Sequence, residues 1–122
     1  MYDDKILKDI NRLRFEDIIW IIFALISLLN VLGDEEEILY LEYEDETEKS
    51  KAKNIFLITI IITIFIYLYF ITRNYFAYTN CKEEEKSLYF IKFLGSTLLI
   101  SGALCLLYFQ IHEDDFTGSP AI

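Results

Sequence analysis

The chain has 122 residues, 54% of them hydrophobic, with 20 acidic side chains against 11 basic ones and a net charge of -9. One unit of this size leaves no room for a second domain. The acidic balance, with no basic patch, excludes nucleic acid as a partner. Half of the chain falls into three apolar stretches at residues 15–32, 55–72 and 88–111. Each approaches the ~20 residues a helix needs to cross a hydrocarbon core. Residues 55–71 hold no charge and, apart from the phenols Tyr67 and Tyr69, only Thr59 and Thr63 as hydroxyls, which leaves no polar face for a helix in water. The expectation is an all-α integral membrane protein with three spans and membrane lipid as its solvent.

Residues 1–14 come first, with Ile6, Leu7, Ile10 and Leu13 set among charged residues. They read as an amphipathic lead-in lying on the inner membrane surface. The first span, 15–32, has sixteen uncharged residues between Asp17 and Asp34, about 24 Å of helix. Being short, it predicts that Glu16 and Asp17 sit at the edge of the apolar zone with Arg12, Arg14 or Arg73 as partners. A basic lead and the pair Val31 and Gly33 also resemble a cleavable leader; an uncleaved anchor is the preferred reading. On this helix Glu16, Trp20, Phe23, Ser27, Asn30 and Asp34 step by four and three residues, which predicts one polar seam.

Residues 33–54 carry nine acids and read as an acidic outer loop. Gly33 and Asp34 act as stop and cap, and residues 38–43 as an interfacial segment or short strand. From about residue 45 to 79 the pattern predicts one long helix, protruding from both faces and containing the second span. Thr59, Thr63, Tyr67, Phe70 and Asn74 lie on its weaker polar face. Residues 73–87 form the inner loop, and 112–122 an acidic tail. On the third span, 88–111, Gly95 and Gly102 recur at seven residues, as do Ser96 and Ala103, which predicts a smooth packing surface.

Orientation follows Lys and Arg near helix ends. Residues 1–17 and 73–92 hold eight, the acidic loop three, so the N-terminus is expected in the cytoplasm and the C-terminus outside. Cys81 and Cys105 are too far apart to bridge, the first a reduced thiol and the second a small apolar packer. His112 with its following acids reads as a solvated tail. No phosphate loop, zinc or nucleophile motif is present, so neither an enzyme nor a cofactor or metal is expected.

The segments "RFEDIIWIIFALISLLNVLGD", "AKNIFLITIIITIFIYLYFITRNY" and "EEEKSLYFIKFLGSTLLISGALCLLYFQ", ending in "DDFTGSPAI", resemble small, uncharacterised three-span membrane proteins of low-GC Gram-positive bacteria. The resemblance covers nearly the whole chain through its cadence and implies the three-span fold and a bacterial source, with no activity. Two functions stay open. One is a non-enzymatic module that self-associates or clamps a larger membrane protein through the glycine surface and the Glu16–Asp34 seam. The other is an oligomeric pore, holin-like or cation-conducting, with Ser27, Asn30, Thr59 and Thr63 facing its lumen.

Overall fold

A computed structural model describes residues 3–44 and 46–113. In chain order it forms α1 (Asp4–Tyr43), α2 (Glu46–Asn80), a single 3-10 turn (Glu83–Glu85) and α3 (Lys86–His112). Each helix is long and apolar enough to span a membrane. The chain is an all-α, three-span membrane protein. At 1.5 Å per residue, α1 is about 60 Å long, α2 about 52 Å and α3 about 40 Å, so α1 as well as α2 outruns the ~30 Å hydrocarbon core.

Helix α1 starts where the Asp3 carboxylate accepts from the Ile6 N–H at 2.8 Å, with Asp4 in the first turn facing the positive helix end. It then runs unbroken through three expected boundaries. The lead-in of residues 1–14 continues straight into the span from residue 4 and is its extension. Gly33 and Asp34 do not stop it. Residues 38–43 are helical and not a strand. One glycine costs a helix only about 1 kcal/mol, and the good helix formers Glu35, Glu36, Glu37 and Leu39 lie beyond it. The stop comes at Glu44, in the left-handed region (φ 52°, ψ 37°), whose N–H reaches the Tyr40 carbonyl.

The acidic segment 33–54 is therefore two helix ends folded into an antiparallel hairpin. Lys49 lies 5.4 Å from the centre of the Tyr40 ring, and Lys51 pairs with Glu48 at 3.6 Å. Helix α2 follows the expected course. At its far end Lys86 donates to the Tyr78 carbonyl at 3.0 Å and covers the Tyr78 ring, which puts a cation on the negative helix terminus. Of the acidic tail, residues 114–122 lie outside the described residues.

The contact face of α1 comprises Glu16, Ile19, Phe23, Ile26, Asn30, Gly33, Glu37 and Tyr40, alternating steps of three and four. That 3.5-residue period holds one stripe against a single partner along a whole helix. The partner is α2. At the stripe's centre Ile19 and Ile26 pack with Ile66, and Phe23 and Ile62 lie around them. Leu28, Phe65 and Leu98 stand more than 60% exposed, as apolar residues do when the solvent is lipid. Helix α2 packs against both neighbours, whereas no α1 Cα lies within 8 Å of an α3 Cα among the described residues. The three helices make an open trough with α2 as its floor.

Candidate functional site

Polar groups gather at two levels of this trough. At mid-span the Thr59 hydroxyl donates to Asn30 Oδ1 at 2.9 Å and is equally close to the Phe56 carbonyl, while Thr63 donates back to the Thr59 carbonyl at 2.8 Å. Thr59 and Thr63 are buried, so the α1–α2 seam carries an interhelical hydrogen bond where lipid offers none. Such bonds are worth only about 0.6 kcal/mol on average. Ser27 donates to the Phe23 carbonyl of its own helix at 3.1 Å. Above them lies a cavity of about 330 Å³ whose wall includes Ser27, Asn30, Thr63, Gly102 and Leu106. It opens because α1 and α3 stand apart.

The second level lies near the N-terminal end of α1. Glu16 is 5% exposed and its Oε2 has three neighbours: Arg73 Nε at 3.2 Å, Arg12 Nε at 3.8 Å and the Tyr69 hydroxyl, donating at 3.1 Å. Two of the three arginines expected beside the short first span thus meet this carboxylate. The ring of Phe15 meets the edge of Tyr69 at 5.3 Å and shields the cluster. One turn further, Asn74 Nδ2 donates to Ser96 Oγ, tying α2 to α3. Asn74 and Ser96 are both buried, and Asn74 Oδ1 has no partner.

The predicted seam is half right in its geometry. Glu16, Phe23 and Asn30 lie on the contact stripe. Trp20, Ser27 and Asp34 fall one step off it and are exposed, Trp20 lying 5.5 Å from the Phe70 ring. The predicted seam and the true stripe share Glu16, Phe23 and Asn30, and both alternate steps of three and four. The true stripe adds apolar Ile19, Ile26 and Gly33 and polar Glu37, so the period alone does not separate them. On α3 the small residues divide. Ser96 and Ala103 are buried within the chain, while a side chain built at Gly95 or Gly102 would meet nothing within 4 Å. Cys105 is exposed on α3 and does not pack inside the chain.

Gly33 has the role that Gly95 and Gly102 lack inside the chain. A Cβ there would lie 2.5 Å from Phe56 Cε1, and Phe56 is fully buried. The glycine lets the α1 backbone rest on an aromatic ring. Tyr69 and Lys92 also belong to the polar constellation and lie outside the predicted seam, beside Arg73, expected as a partner of Glu16, and Asn74, expected on the polar face of the second helix. Comparison with protein-family models, with curated proteins and with solved structures finds no match to this chain.

Proposed function

We propose that the protein is a non-enzymatic membrane module that associates with a second copy of itself or clamps a larger membrane protein by taking a helix into the trough between α1 and α3. The supporting observation is the trough itself. Asn30, Ser27 and Thr63 edge a cavity that no element closes among the described residues, and lipid tails cannot hydrogen-bond to them. A transmembrane helix supplies both packing atoms and polar partners. The open flank at Gly102 permits close backbone approach on the α3 side. In this reading the end bearing Arg12, Arg73 and Lys92 is cytoplasmic, and the acidic hairpin projects outside.

A pore-forming oligomer is the second reading, supported by the same Ser27, Asn30 and Thr63, which would line a lumen if several copies closed around their troughs. One preparation separates the two. Gly102→Leu adds a side chain whose Cβ would meet nothing within 4 Å in its own chain, so its effect falls on association. The expected result is a detergent-solubilised mass falling from that of an assembly to that of one chain, with wild-type liposomes remaining tight to ions. An unchanged mass contradicts the trough as the contact surface. Ion flux that Asn30→Leu abolishes with assembly intact favours the pore.

A further inference from the structure

The trough has a chemically distinct end. Beyond its apolar part lies a recess of about 580 Å³ whose lining includes Arg12, Arg73, Lys92 and Asn74, three cations and no acid. The Glu16 carboxylate behind it engages two of these cations, leaving an excess of two positive charges. Lys92 is exposed and has no carboxylate within ion-pair range among the described residues. Asn74 is 6% exposed, and its Oδ1 is a buried acceptor with nothing to accept from. Such a group costs about 1–3 kcal/mol unless a donor reaches it.

Arg73, Asn74 and Lys92 also line a neighbouring cavity of about 280 Å³, whose other walls include Trp20, Phe70 and Leu99. One continuous surface thus passes from cations, past Asn74, to an apolar slot along the helices. That order fits a phospholipid, whose anionic phosphate is followed by its acyl chains.

We infer that the recess and slot hold one anionic glycerophospholipid. Its phosphate lies against Arg73 and Lys92, with Arg12 at the rim. An acyl chain lies along Trp20 and Phe70. A carboxylate on a partner helix would satisfy the cations. It would leave the apolar slot beneath them unfilled, so a lipid accounts for more of the surface. The site is built within one chain and does not depend on association.

Trp20 is the sole tryptophan and lines the slot, so its fluorescence reports the occupant. The full chain is reconstituted in phosphatidylcholine vesicles containing a fixed minor fraction of brominated phosphatidylglycerol or brominated phosphatidylcholine. At equal fractions, the anionic lipid is expected to quench Trp20 as though enriched at least about fivefold, the factor attached to one cation near a membrane surface. Lys92→Gln should remove about fivefold of that enrichment, and Lys92→Arg should keep it. Lys92 is exposed and unpaired, so neither variant threatens folding; unchanged helicity and elution check this. Soluble glycerol phosphate should not relieve the quenching. Equal quenching by the two headgroups, enrichment indifferent to Lys92→Gln, or displacement by glycerol phosphate would each overturn the assignment.

Discussion

Gly33→Val is expected to cost about 3 kcal/mol of stability, read as the free energy of unfolding in mixed micelles titrated with a denaturing detergent. The new Cβ would lie 2.5 Å from one ring atom of Phe56 and 2.9 Å from another. Phe56 is wholly buried between α1 and α2 and has no open space to swing into. Overpacking of this kind costs roughly 1–3 kcal/mol, more when the neighbour cannot move. Gly33→Ala meets the same clash but gains about 1 kcal/mol of helix propensity, so its net loss should be near 1 kcal/mol. The decisive comparison is the cycle with Phe56→Leu. If the clash is the cause, Gly33→Ala should cost clearly less in the Phe56→Leu background, with a coupling of at least about 0.5 kcal/mol. A Gly33→Ala variant more stable than the parent would show that the backbone does not rest on Phe56.

Arg73→Ala is expected to destabilise the chain more than Glu16→Ala, although both break the same 3.2 Å pair. The asymmetry follows from what each variant leaves behind. Without Arg73, the Glu16 carboxylate, with 6% of its side chain exposed, keeps Tyr69 and a guanidinium at 3.8 Å. A buried charge that loses its partner costs about 3–5 kcal/mol; with Arg12 still near, a loss of about 3 kcal/mol is expected. Without Glu16, Arg12 and Arg73 remain, with 41% and 26% of their side chains exposed, and both can turn to water or lipid phosphate. That loss should stay near 1–2 kcal/mol. Glu16→Ala added to Arg73→Ala should recover part of the damage, because the orphaned charge is gone. A double variant as unstable as the sum of the singles would mean that the pair is not coupled in the folded protein.

Apolar length carried the three spans and the long second helix, because lipid admits helices and little else. The extent of α1 was not legible for the opposite reason. Residues 33–43 lie beyond the apolar run, where Gly33 and Asp34 have the chemistry of a helix stop and only tertiary contact says otherwise. Ala52 and Phe56 on α2 supply that contact, both fully buried in the hairpin. At the polar sites, Glu16, Asn30, Thr59 and Thr63 could be picked out because polar groups in a span require partners. Which partners they take depends on the rotation of α1 about its axis. A single step separates the stripe through Ile19, Ile26 and Gly33 from the one through Trp20, Ser27 and Asp34. Asn74, on the weaker polar face of α2, and Lys92 are each ordinary near a membrane surface. Their significance comes from α2 and α3 bringing them to one recess.

The arrangement of the helices is tested most directly by oxidative crosslinking in a background with Cys81 and Cys105 replaced by serine. A disulfide needs Cα atoms within about 7 Å. The pair Asn30→Cys with Thr59→Cys replaces side chains in hydrogen-bond contact and should crosslink within one chain. The pair Ser27→Cys with Gly102→Cys faces across the trough, where no α1 Cα comes within 8 Å of α3. It should form no bond within a chain, and any product should run at the size of two chains. Efficient intrachain crosslinking of Ser27→Cys with Gly102→Cys would show a closed bundle and contradict the open trough.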